Sequence, residues 1–217
     1  MIKEASSDAS LRKGLADPYY LCSEQHGFTE KQRDVKMAVY DDDFQAWVGP
    51  FIMAAINTKI VHRSNELNGK AFGENFKYDE VMITGKTFSS RLAASGIGIG
   101  LGVFPLLVAL PPTRFLIEKL VPQPGEGPSP YQQEHGHYDL RFKGKTDGGE
   151  KLSVKVTGDR DPGYGSTAKM LAQAGLCLAQ DISKSDKAGG FWTPATAMGM
   201  PLIKRLIDNA GLKFSVE

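Results

Sequence analysis

Two runs of alternating side chains, "GHYDLRFKGKT" and "EKLSVKVTGD", flank the sequence "DGG" at residues 147–149. Alternation has the period of a β-strand, and the glycines supply the backbone freedom that a tight reversal needs. An antiparallel hairpin is therefore the most strongly specified local element of the chain.

The remaining segments supply helices and further strands. Residues 1–34 mix Lys, Asp, Ser and Pro without sustained periodicity, apart from a short helical stretch over Ser10 to Ala16. A short strand is expected near Phe44 to Val48. Pro50 then reads as the first position of a helix through "PFIMAAINTKIVHRSNELNG", where Phe51, Ile52, Ala55, Ile56 and Ile60 recur at helical spacing and Gly69 lies just past the end. "FKYDEVMITGK" alternates as a strand, "PPTRFLIEKLV" restarts a helix, and "PQPGEGPSP" is a solvated loop. "STAKMLAQAGLCLAQDIS" is an amphipathic helix. A last helix has Thr193 as its N-cap and Pro194 at its first position, with Pro201 expected to kink or restart it, and "LKFSVE" returns to the sheet. Paired strands and grouped helices without regular βαβ alternation give an α+β fold, a mostly antiparallel sheet with helices on one face.

Composition narrows the function classes. The chain has 217 residues, 41% hydrophobic and 24% charged, with a formal net charge of +1, so no basic excess is present to neutralise a nucleic-acid backbone. Cys22 and Cys177 lie far apart without metal-ligand spacing, which fits a reducing, cytoplasmic setting. The first twenty residues lack the apolar core of a secretory signal.

"GIGIGLGVF", from Gly96 to Phe104, is the most unusual stretch. It fails the dinucleotide fingerprint G-x-G-x-x-G, because the third glycine would fall on Leu101 or Val103. As a helix it carries two overlapping pairs at G-x-x-x-G spacing, Gly96 with Gly100 and Gly98 with Gly102, which would admit another backbone closely. The run from Leu92 to Thr113 has no formal charge and approaches bilayer-spanning length, yet Pro105 and Pro111–Pro112 interrupt it. Lys86 and Arg91 on one side balance Arg114 and Lys119 on the other, so no orientation is specified. A buried or membrane-surface segment is expected rather than a spanning helix.

Chemistry concentrates in "GDRDPGYGSTAKM", Gly158 to Met170, where a strand turns through Asp159, Arg160, Asp161 and Pro162 and two glycines, Gly163 and Gly165, lead into a helix. Helix N-termini carry free N–H groups and partial positive charge, so an anion is one reading; a structural turn with Arg160 between two carboxylates is the other. His135, His137 and Asp139 would share a face if all three stood in a strand, but no fourth ligand accompanies them and no metal is expected. Asn57, Arg63, Ser64 and Asn65 are polar positions in an otherwise apolar helix. Neither a G-x-S-x-G elbow nor a Cys–His nucleophile pair occurs.

Five ordered segments, "GPFIMAAINTKIVHRSN", "YDEVM", "PPTRFLIEKLVPQPGEGPS", "VTGDRDPGYGSTAKMLAQAGLCLA" and "GGFWTPATAMG", resemble the C-terminal half of the saccharopine dehydrogenase-like oxidoreductases, the group that includes trans-acting enoyl reductases. The likeness runs from about Leu15 to Gly211. It implies that residues 1–217 form one catalytic and dimerising domain, and that NAD or NADP is bound by an N-terminal Rossmann domain absent here, in the same or a separate chain. This chain alone would hold no cofactor, and the intact enzyme would be longer or two-chained. Hydride chemistry on a lipid-like or acyl substrate is implied, and a homodimer. Residues matching the family motifs are Asn57, Arg63, Asn65, Asp159, Arg160, Asp161, Gly163, Tyr164, Gly165, Thr193 and Pro194. Tyr164, Arg160 and Asp161 would serve catalysis, with Tyr164 as a proton donor, and the others would line the substrate or cofactor cleft. The competing reading is a non-catalytic membrane- or lipid-binding module built on residues 92–113.

Overall fold

The computed structural model describes residues 8–121 and 125–217. The chain is α+β, with two small antiparallel sheets and seven helices among the described residues. Its contacts gather it into two compact units, Met1–Lys119 and Leu120–Glu217.

The first unit holds α1 (Ala9–Ala16), β1 (Val39–Asp41), β2 (Ala46–Pro50), α2 (Ala54–Leu67), β3 (Val81–Gly85) and α3 (Phe88–Ala109), and α4 (Pro111–Leu120) closes it. The strands form a sheet in the order β1-β2-β3. Pro50 is the last residue of β2, opposite Val81, rather than the first residue of a helix. A strand end tolerates a residue without an N–H as readily as a helix start does, so proline alone could not decide between them. The core of this unit combines Ala46, Val48 and Ala94 with an aromatic cluster of Tyr19, Phe28, His62 and Phe76. Gly69, at φ +66°, terminates α2 as its position in the sequence indicates.

Helix α3 begins at Thr87, whose hydroxyl accepts from the Ser90 N–H at 3.3 Å. Its first half packs on β2 and β3, and Ala94 and Gly98 are buried there. Gly98 has a local cause: a methyl group at this position would stand 2.5 Å from the Lys36 carbonyl oxygen.

The second unit holds α5 (Pro130–His135), β4 (Tyr138–Lys145), β5 (Lys151–Gly158), α6 (Gly165–Gln180), α7 (Pro194–Ala210) and β6 (Lys213–Val216), with the sheet order β4-β5-β6. The hairpin forms with Lys145 opposite Lys151, and Gly149 takes φ +86° in its turn. Helix α7 buries Leu206 and Ala210 beside Leu212, against Val156 and Phe214 of the sheet and Met170 of α6. Arg205 ties α7 to the end of α6 through Asp181 and Gln180. The break expected near Pro201 falls at Gly199, which adopts φ +48° and ψ −130° within α7. His135 ends α5 and stacks on Tyr131, whereas Asp139 lies in β4 and binds Arg141 and Lys155. The His135, His137 and Asp139 triplet therefore does not share a strand face, since β4 begins only at Tyr138.

Candidate functional site

The sequence-derived site residues divide between the two units. In the first they stand on α2. Asn57 donates from Nδ2 to Glu80 Oε2 at 2.8 Å, and the Tyr78 hydroxyl donates to the other oxygen, Oε1, also at 2.8 Å. Arg63 instead bonds Glu66 Oε2 at 2.6 Å, and Glu66 also accepts from the Ser23 N–H and hydroxyl. Burial raises the Glu66 pKa, but its bonds to Ser23 and Arg63 outweigh that and hold the carboxyl below its ordinary range. Asn65 is fully buried. Its amide donates to the Gly73 carbonyl and accepts from the Phe72 N–H, both at 2.9 Å, so it holds the loop after α2 in place. Asn57 and Arg63 thus serve different ion and amide networks, as their spacing of one and a half turns allows.

Beside Asn57 an open groove of about 700 Å³ runs through the first unit. Phe51, Ala54 and Ala55 lie along one side and Gly98, Leu101 and Gly102 of α3 along another. Polar groups at its margin are largely spoken for. Arg33 binds Asp41 at 2.9 Å and Asp79 at 3.3 Å. Buried Lys59 donates to the carbonyl oxygens of Leu15 and Asp17, each at 2.9 Å, and burial lowers its pKa. Asp79 and Tyr78 are both raised by burial; Arg33 opposes the shift at Asp79, and Glu80 adds to it at Tyr78. The groove accordingly offers a mostly apolar lining in which Arg33, Lys59, Asp79 and Glu80 already have partners within the chain, which suits an uncharged chain better than an anion.

Lys59, Tyr78, Asp79 and Glu80 were not singled out by residue type. The signal available was the acidic pair directly preceding the apolar run of β3, together with a lysine on the apolar side of α2. Spacing alone does not say that two such elements meet.

In the second unit the glycine-rich turn is built around Asp161. Its carboxylate accepts the backbone N–H groups of Gly163 at 2.9 Å, Tyr164 at 3.2 Å and Gly165 at 2.6 Å, and these bonds, led by that from Gly165, hold its pKa down. The start of α6 is therefore already occupied by an anion belonging to the chain. A dinucleotide phosphate does not fit there, because it would meet a carboxylate where it needs free donors. Gly165 is required by packing: a methyl group there would lie 2.6 Å from the Gln133 carbonyl oxygen.

Arg160 does not sit between the flanking carboxylates. Asp159 pairs with Lys169 at 3.1 Å, Asp161 caps the helix, and Arg160 has no ion pair or hydrogen bond among the described residues. Tyr164 is more than half exposed. Thr193 is buried at the start of α7, where its N–H donates to the Thr196 hydroxyl at 3.1 Å, with Pro194 at the first helical position. Asp161 and Thr193 thus act as helix caps, whereas Arg160 and Tyr164 keep polar groups free for other work. Among the described residues no group of three His, Cys, Asp or Glu side chains is placed to hold a metal.

No family model and no solved structure matches the chain. Curated relatives do. A putative trans-acting enoyl reductase of Mycobacterium tuberculosis is 35% identical over 95% of this chain and 51% of its own length. A trans-acting enoyl reductase of Mycobacterium bovis is 34% identical over 94% of the chain, and one of Mycobacterium ulcerans is 35% identical over 94%, each again over 51% of its own length. The chain is therefore homologous along nearly all its length to proteins named trans-acting enoyl reductases, and it spans about half the length of those relatives.

Proposed function

We propose that this chain is the acyl-binding half of a saccharopine dehydrogenase-like, NAD(P)-dependent enoyl reductase acting on a lipid-like substrate. The observation that carries the reading is the groove of the first unit, whose mostly apolar lining, with Arg33 and Lys59 bound within the chain, suits a hydrocarbon chain. The homology to proteins named enoyl reductases supports the same class of reaction. The dinucleotide would be bound by a Rossmann domain outside these residues, since the glycine-rich turn before α6 is filled by Asp161.

Reduction of an α,β-unsaturated acyl group requires a proton at the α-carbon and stabilisation of negative charge on the carbonyl oxygen. In the second unit, Tyr164 is the proposed proton donor and Arg160 the proposed partner of an anionic group. Asp161 is better assigned to holding the turn that presents them, because its carboxylate is committed to the backbone N–H groups of Gly163, Tyr164 and Gly165. Self-association belongs to the same reading: Leu152 of β5 and Val216 of the adjoining β6 are exposed.

The test is steady-state kinetics of the enzyme assembled with its nucleotide-binding half. Gly102→Leu, which fills the groove from an uncrowded position, should raise KM for an enoyl substrate by about tenfold or more while leaving the nucleotide KM unchanged. An unchanged acyl KM would remove the groove from the substrate site.

A further inference from the structure

We propose that the second half of α3, Ile99 to Leu110, together with the start of α4, docks this chain on one leaflet of a lipid bilayer. The inference is independent of the enoyl reductase reading.

Helix α3 is long and apolar enough to cross a membrane, and only 11% of its most apolar window is buried. From Gly96 to Pro112 no side chain carries a polar atom. A protein partner generally covers one stripe of an amphipathic helix and leaves a polar stripe to water. Here no polar stripe exists: Ile99, Val103, Phe104, Leu106, Leu107 and Leu110 are all exposed, and the positions between them are apolar as well. A solvent that is apolar on every side satisfies such a segment, and a bilayer interior is that solvent.

Geometry argues for one leaflet. Ala94 and Gly98 are buried within the first unit, so the free part begins near Ile99. From there to Leu110 the helix rises about 18 Å at 1.5 Å per residue, short of the roughly 30 Å core of a bilayer and comparable to half of it.

The far end is prepared for lipid. Pro111 has no N–H for the Leu107 carbonyl, and the Thr113 hydroxyl donates to that oxygen at 2.5 Å and lies 3.0 Å from the Leu110 oxygen. That arrangement removes unpaired backbone polarity where the chain turns. Phe115 and Leu116 of α4 are again exposed, and the Lys119 Nζ lies over the Phe115 ring, 4.3 Å from its centroid, which sets a cation beside exposed apolar surface. Between Lys86 and Lys119 the sequence carries four basic residues, Lys86, Arg91, Arg114 and Lys119, and one acidic residue, Glu118, a balance that favours anionic headgroups.

Vesicle sedimentation tests the proposal, using the full chain with vesicles of phosphatidylcholine alone and with added phosphatidylglycerol. The chain should pellet with vesicles, more strongly with the anionic ones. The double variant Phe104→Glu, Leu106→Glu should lose at least about tenfold in partitioning, since it removes two apolar side chains from lipid. Both positions are more than half exposed, so near-UV circular dichroism should show an intact fold. In a second variant, Phe104→Trp, lipids brominated near the chain start should quench the indole. Failure of the native chain to pellet with either vesicle, or undiminished pelleting of the double variant, would overturn the proposal. So would a native dimer in size-exclusion that the double variant abolishes without any vesicle binding, because the face would then belong to a second copy.

Discussion

The glycines of "GIGIGLG" in α3 and those of "GDRDPGYG" before α6 stand in contrasting surroundings. At the second stretch each glycine meets a neighbour: a methyl group added at Gly158, Gly163 or Gly165 would lie within 3.1 Å of another atom. At the first stretch only Gly98 does so, whereas Gly96, Gly100 and Gly102 have nothing within 4 Å. One set of glycines is explained by packing inside the chain. The other is not, and it lies in the helix that borders the groove and leaves the protein surface apolar on all sides.

Alanine substitutions sharpen that contrast, and the crowded positions should respond most. Gly98→Ala and Gly165→Ala each drive a methyl group into a backbone carbonyl oxygen and should cost about 2 kcal/mol, measured by urea denaturation. Next comes the turn chemistry. Asp161→Asn should lower the melting temperature at neutral pH and flatten its acid dependence. Because the folded pKa of Asp161 is depressed, its stabilising contribution is complete above the ordinary carboxylate range and is lost as pH falls through the folded value. The smallest effect belongs to the open helix: Gly100→Ala should stabilise by about 0.5–1 kcal/mol, the ordinary helical preference for alanine, with no steric offset. A destabilising Gly100→Ala would show that something unrecognised packs there.

Whereas the glycine-rich run of α3 suited a helix or a strand equally until its Thr87 cap was seen, the hairpin, the helix after Thr193 and the closing strand were legible because alternation, caps and helical periodicity are local signals. The division of the strands between two sheets was not, since pairing of β1-β2-β3 apart from β4-β5-β6 depends on contacts between distant segments. At the candidate site, "GDRDPGYG" announced a helix start that attracts anions. Composition could not reveal that Asp161, rather than a ligand, would take those donors, nor that Arg160 would be left without either neighbour. The groove was hidden for a related reason. Its lining comes from α2, α3 and the segment around Arg33, and none of these is distinctive alone.

The central claim, that the groove of the first unit receives an acyl chain, is tested most directly by equilibrium binding of a fluorescent long-chain acyl probe to three proteins: the native chain, Gly102→Leu and Gly100→Leu. Both substitutions add the same side chain to the same helix at uncrowded positions, but only Gly102 lines the groove. Saturable binding by the native chain that Gly102→Leu weakens at least about tenfold and Gly100→Leu leaves intact is the predicted result. Equal affinity in all three would contradict it.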